Sequence, residues 1–220
     1  MSKNKQAILL IVISVFFGTL MLTFLKLAQK EVNVYVAGFF RFLFGFLIIF
    51  PYILKSKLTV FKTNHLKKHF FRAVLNLPSM LLYFSALVML PIEKVTAISF
   101  VVPFFVTILA VLFLGEKIYI YRTLALILGF IGMIVILRPG IINISIGVYM
   151  ALASSLMWSV VIIITKSIAK DDSSITILSY GYTIMTILSF VIVLFYWQTP
   201  SLQTLIYLFF AGLSGTLLHL

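Results

Sequence analysis

The uncharged apolar runs constrain this chain more than any motif in it. Ala7 to Leu25 holds no charged residue, and stretches of similar length recur along the sequence. About 20 apolar residues are what an α-helix needs to cross a hydrocarbon core roughly 30 Å thick. A helix in a soluble core needs only one apolar stripe, so runs that are apolar all round point to lipid. Composition agrees: 63% of the 220 residues are apolar and 10% are charged, against roughly 45–50% and about 25% in soluble domains. Too few polar side chains exist to cover a water-exposed surface. Backbone groups in lipid must be satisfied internally, which leaves helices or closed barrels, and the alternating polarity of barrel strands is absent. The expected fold class is all-α, a polytopic transmembrane helix bundle.

Reading between charged or turn-rich breaks gives eight segments: Ala7 to Leu25, Val34 to Leu54, Phe70 to Leu90, Val95 to Leu114, Tyr121 to Leu137, Ile146 to Thr165, Ile175 to Trp197, and one from about Leu202. The breaks carry turn and charge signals: Lys55 to Lys68, Pro91 to Lys94, Gly115-Glu116-Lys117, Arg138-Pro139-Gly140, Lys170-Asp171-Asp172 and Gln198-Thr199-Pro200. Positive charge in loops sets orientation. With the N-terminus inside, cytoplasmic segments hold Lys3, Lys5, Lys55, Lys57, Lys62, Lys67, Lys68, Arg72, Lys117, Arg122, Lys166 and Lys170, while Lys26, Lys30, Lys94 and Arg138 lie outside. The expected placement is a multi-pass cell-membrane protein, bacterial inner membrane, with a cytoplasmic N-terminus. The net charge of +12 then reflects loops facing anionic headgroups. No nucleic-acid partner is expected, because the basic residues are dispersed among loops instead of forming one face. Lys3 and Lys5 ahead of an apolar run imitate a secretory signal, but the run is long and no small-residue cleavage site follows, so it reads as a retained first helix.

Cysteine is absent, so redox chemistry offers no argument. His65 and His69 stand at i, i+4 spacing but lack a nearby third ligand, so no metal is expected; no cofactor is expected either. The acids Glu31, Glu93, Glu116, Asp171 and Asp172 all lie near helix ends, leaving no mid-membrane carboxylate for a proton relay.

An offset of 140 residues superimposes Lys166 on Lys26, Lys170 on Lys30, Asp171 on Glu31 and Ser154 on Ser14. Five helices separate the two copies, an odd number, so the copies insert in opposite orientation, as in transporters built from inverted repeats. The expected division is 1–140 as a first five-helix repeat and 141–220 as a second, incomplete one. On that reading about eight of ten helices are present, and the chain stops inside its eighth.

The strings "VAGFFRFLFGFLIIFPY" in the second segment, "TAISFVVPFFVTILAVLFLGEKI" through the fourth and "LGFIGMIVILRPG" in the fifth resemble the EamA family of the drug/metabolite transporter superfamily. The fourth-segment string is the most specific of the three, and the likeness covers the first half better than the second. The resemblance implies ten helices around a central cavity open alternately to either side. It implies a cargo among organic metabolites such as S-adenosylmethionine, amino acids or riboflavin.

Individual residues carry two readings each. Arg41 is the most deeply placed charge, about 10 Å below its helix end at 1.5 Å per residue. A charge there normally faces protein or water, so it either contacts an anionic group of the cargo or bonds helix-end carbonyls. Pro103, mid-helix in the fourth segment, leaves the carbonyl of Ser99 without its donor, giving a kink for gating or for packing. Ser99 and Thr107 flank it at i−4 and i+4 and either line the cavity or bond back to their helix. Asn76 and Tyr83 share a face of the third segment, as cavity wall or interhelical ties. Trp158 and Tyr180 offer aromatic surface to a ring-bearing or cationic solute; Tyr182, two residues on, points elsewhere. Gly129 and Gly132, and Gly212 and Gly215, provide small surfaces for close helix approach. Glu116 is expected to pair with a basic group such as Lys117 or Arg122 and to position a gate.

Two function classes follow. One is a secondary transporter of a small organic metabolite (amino acid, nucleoside-like or S-adenosylmethionine-like) working by alternating access, with the lipid bilayer as its surroundings and a homodimer left open. The alternative is an integral membrane enzyme acting on a lipid-linked substrate, with the basic stretch from Lys55 to Arg72 binding phosphate; it requires acids, histidines or nucleophiles clustered at one face. The enzyme class is disfavoured, and no P-loop is present to drive transport with ATP.

Overall fold

The computed structural model describes residues 3–137 and 145–218; the Arg138-Pro139-Gly140 break and the side chain of Arg122 lie outside what it describes. The described residues form α1 (Lys3–Ala28), α2 (Val34–Lys55), a short 3-10 turn (Thr59–Phe61), α3 (Leu66–Met89), α4 (Ile92–Ser99), α5 (Val102–Leu114), α6 (Ile120–Leu137), α7 (Ile146–Ile168), α8 (Ser174–Val193) and α9 (Leu202–Leu217). Counting α4 and α5 as one span, six apolar helices are long enough to cross a membrane, while Thr123–Ile136 and Leu202–Leu217 are apolar but shorter. The chain is an all-helical, multi-pass membrane protein.

The fourth segment departs from its expectation. Pro103 is not mid-helix: it occupies the first turn of α5, where no backbone N–H is needed. The break falls just before it, at Phe100 and Val101, whose amides donate to Ala97 (3.1 Å) and Ile98 (3.0 Å) in the tighter pattern that ends helices. A proline that cannot donate to the preceding turn is better tolerated at a helix start than inside a helix, so the chain makes two helices of one apolar run. Gly115 ends α5 with φ +64, a left-handed position that glycine adopts without steric cost.

The chain divides into two compact units, residues 1–69 with 172–220 and residues 70–171. In the first, α2 packs against both α8 and α9, and α1 runs along α9. At one end of this unit Asn33 caps α2, accepting from the amides of Tyr35 and Val36 at 3.0 Å, and its own amide donates to Gln198 Oε1 at 2.7 Å. Glu31 accepts from the amide and hydroxyl of Ser201, both at 2.7 Å, and from the hydroxyl of Thr204. Those bonds hold the Glu31 carboxyl below the usual carboxylate range. In the second unit α4 and α5 pack on α7, and α4 on α6. Ser79 and Ser154 tie α3 to α7 reciprocally, each hydroxyl donating to the other's carbonyl, at 3.0 and 2.8 Å.

The 140-residue offset recurs in the backbone. Helix α1 ends at Ala28 and α7 at Ile168; α2 starts at Val34 and α8 at Ser174. Between them the same turn is built twice: Glu31 N donates to Ala28 O at 3.1 Å and Asp171 N to Ile168 O at 3.0 Å, while Ala37 and Ile177 donate to the cap carbonyls of Asn33 and Ser173 at 3.0 Å. The compact units do not follow 1–140 and 141–220, however. The first combines α1 and α2 with α8 and α9, drawing helices from both halves of the sequence.

Candidate functional site

Helix α2 buries a stripe at i, i+4 spacing, Arg41, Gly45, Ile49 and Ile53, the period that keeps residues on one helix face. Arg41 is the charged member, 7% exposed. Its Nε donates to the Met21 Sδ of α1 at 3.4 Å, and its guanidinium carbon lies 4.3 Å from the centre of the Phe42 ring. Room for this head group comes from α9. A Cβ placed on Gly215 would stand 3.1 Å from Arg41 Nη2 and 2.9 Å from Met21 Sδ, and one on Gly212 would meet Phe44 Cβ at 2.7 Å and the Arg41 carbonyl at 3.1 Å. Close approach at these two glycines is thus observed in α9. Tyr182 of α8 closes the neighbourhood: its ring covers Gly45, and its hydroxyl accepts from Thr216 Oγ1 at 3.2 Å.

A second polar cluster lies at the other end of the same unit. His69 is fully buried and its Nε2 lies 2.8 Å from Asp172 Oδ2; Thr63 donates to the same oxygen at 2.6 Å. Burial opposes charge on Asp172, yet the hydrogen bonds from Thr63 and His69 and the charges of His69 and His65 hold its carboxyl below the ordinary range. Tyr180 stacks on His69 at 4.4 Å between ring centres and donates to the Phe61 carbonyl at 2.7 Å. Of the two aromatic residues expected to meet a solute, Tyr180 is engaged in this clasp. His65 and His69 do not form a metal pair with a third ligand: among the described residues no group of three or more His, Asp or Glu is gathered for a metal.

In the second unit the remaining candidates separate. Ser99 donates back to Val95 at 3.0 Å and Thr107 to Pro103 at 2.8 Å; Tyr83 is half-buried. Asn76 and Trp158 are half-buried. A cavity of about 470 Å³ is lined by Val102, Pro103, Val106, Thr107, Ala125, Leu126 and Ile162. A site for a polar metabolite needs several convergent polar groups; this lining offers one hydroxyl, already bonded, so the cavity is an apolar packing groove. Glu116 accepts from Lys166 of α7, both side chains partly exposed. Gly129 and Gly132 meet nothing within 4 Å, so the close approach expected of them is not made among the described residues.

Sequence reading missed Met21, Gly45 and Thr216, because nothing in a single chain says which helix will lie across Arg41. The signal for it in the sequence is the small-residue pair Gly212 and Gly215 of α9.

A profile of the EamA-like transporter family matches residues 5–138. Among curated proteins, the S-adenosylmethionine uptake transporter of Rickettsia conorii is 31% identical over 88% of this chain and 66% of its own length. The riboflavin transporter of Brucella anthropi is 25% identical over 69% of this chain and 53% of its own. A solved crystal structure, 16% identical, shares the fold with a TM-score of 0.67, covering 94% of this chain and 76% of that one. The chain thus spans slightly less than two thirds of the first of these relatives.

Proposed function

The chain belongs to the EamA-like transporter family, and on that premise we propose that the protein carries a small organic metabolite across the membrane as a secondary transporter. The observation that carries this reading is the helix-turn-helix module built twice at an offset of 140 residues. On the sequence reading the copies are offset by five helices, an arrangement that gives opposite insertion and supports alternating access by one repeat moving against the other. The cargo class is that of an amino acid, a nucleoside-like or an S-adenosylmethionine-like solute. The bias of basic residues supports a cytoplasmic N-terminus in a bacterial inner membrane. Within the first unit, the segment after α2 meets the turn before α8 through Thr63, His69 and Asp172, while the α1–α2 turn meets the segment after α8. Loops that meet share a membrane face, and both pairings agree with that topology. The relatives named above are transporters, which favours transport over the lipid-enzyme alternative.

The test is uptake and counterflow with the full-length protein in proteoliposomes, using a panel of amino acids, nucleosides and flavins. Accumulation above empty liposomes, saturable and exchangeable with unlabelled solute, is expected for at least one class. If no solute moves faster than in empty liposomes while a lipid-linked substrate is turned over, the transport reading fails.

A further inference from the structure

We propose that Arg41 is the recognition site for a carboxylate on the transported solute, an inference that rests on the transport reading. The guanidinium carries five N–H donors in a planar fork. Its partners among the described residues are a thioether and a ring face, both weak, and no acid of the described chain forms an ion pair with it. A buried charge is ordinarily paired and hydrogen-bonded, so the arrangement around Arg41 is incomplete until an anion joins it.

The chemistry narrows that anion. Helices α1, α2, α8 and α9 contribute no other cation to this position, the remaining described basic residues of the unit standing at helix ends and in loops. One guanidinium matches one singly charged planar group, which it binds through two parallel hydrogen bonds; a phosphate would call for further cations. Because positions 212 and 215 are glycine, the guanidinium lies against the α9 backbone with no side chain from those positions covering it. Met21 holds the acceptor position provisionally: its side chain is unbranched with three rotatable bonds and its sulfur is a weak acceptor, so a carboxylate displaces it at little cost. The solute is thus a small molecule bearing one free carboxylate, with any further groups recognised elsewhere.

The experiment compares acids with their neutral counterparts. Full-length protein in proteoliposomes is loaded with L-methionine, S-methyl-L-methionine and the other common L-amino acids, and counterflow of each is measured against its primary amide; thermal unfolding of detergent-solubilised protein with the same pairs reports binding. The expected result is preference for at least one acid over its amide by about 30-fold or more, the loss that follows when one member of a buried charge pair is removed. The preference should shrink in R41K, which keeps the charge and loses the fork, and vanish in R41Q. Acid and amide carried equally by the wild type, or a preference that survives R41Q, overturns the proposal while leaving transport intact. Exclusive transport of uncharged solutes does the same. If no solute of any class moves, the transport reading and this inference fall together. Should R41Q not fold, the acid-against-amide comparison in the wild type decides the matter.

Discussion

Gly45→Ala is the most direct probe of how α2 and α8 meet. A Cβ at this position would lie 2.2 Å from Tyr182 Cε1, 2.8 Å from Cδ1 and 3.0 Å from Cζ, whereas non-bonded carbons settle at roughly 3.5–4.0 Å. The ring must therefore retreat by more than about 1 Å. It has little room, being 3% exposed and packed 5.8 Å from the Phe42 ring centre. Retreat also carries its hydroxyl away from Thr216, 3.2 Å distant. Overpacking of this kind costs about 1–3 kcal/mol, and a lost interhelical hydrogen bond in a membrane about 0.6 and at most about 1.7 kcal/mol, so destabilisation of about 2–4 kcal/mol is expected. Equilibrium unfolding of the full-length protein in mixed micelles, titrated with denaturing detergent, measures it. The companion variant Y182L removes the obstructing ring, and the cycle of single and double variants should show a favourable coupling of about 1 kcal/mol or more. Stability of G45A within about 0.5 kcal/mol of wild type, with effects that simply add to those of Y182L, would mean that the ring does not cover Gly45.

Other consequences are equally open to measurement. S79A and S154A should each lose about 0.6–1.7 kcal/mol in the same unfolding assay, and the double variant less than the sum, because each hydroxyl bonds the other's carbonyl and they act as a pair. The Asp172 tie contributes stability at pH above the ordinary carboxylate range and loses it as pH falls through the lowered folded-state value. Melting temperature followed from about pH 7 to about pH 3 should thus fall less steeply in D172N than in wild type, from a lower starting point. E31Q should flatten the same acid limb for the same reason and should loosen the link between the α1–α2 turn and Ser201, read as faster amide exchange there. The Lys166–Glu116 pair, with its side chains 46% and 30% exposed, should matter little: K166M is expected to shift stability by less than about 1 kcal/mol, and a larger loss would assign the pair a structural role its exposure does not support.

The membrane and the helices were written in the sequence, because both depend on one-dimensional quantities. A run of apolar residues long enough to span lipid is legible without a fold, and so are turns marked by Lys, Asp, Asn and Gly. The doubled module was legible too, since Lys26 and Lys166, Glu31 and Asp171 keep their spacing in the chain. The resemblance carried by "TAISFVVPFFVTILAVLFLGEKI" pointed to the family whose profile matches residues 5–138. The break at Phe100 was misplaced by a few residues, because a proline inside an apolar run looks the same whether it kinks a helix or starts one.

What one dimension does not contain is which helices touch. Lipid-facing and protein-facing residues are equally apolar in a membrane protein, so periodicity does not separate them as it does in water. Tyr180 and Tyr182, two residues apart, point to different faces, but only tertiary structure sends Tyr180 to His69 and Phe61, and Tyr182 across Gly45 to Thr216. Gly129 with Gly132 and Gly212 with Gly215 look alike as packing pairs, yet a methyl group would collide at Gly212, Gly215 and Gly45 and meet nothing at Gly129 or Gly132. The sequence alone established that Arg41 is a charge inside a helix that lies in lipid. Only the packing of α1, α8 and α9 around it decided that a thioether, a phenol and a glycine surround it instead of a carboxylate, and pairwise contacts between distant segments are what a single sequence leaves unwritten.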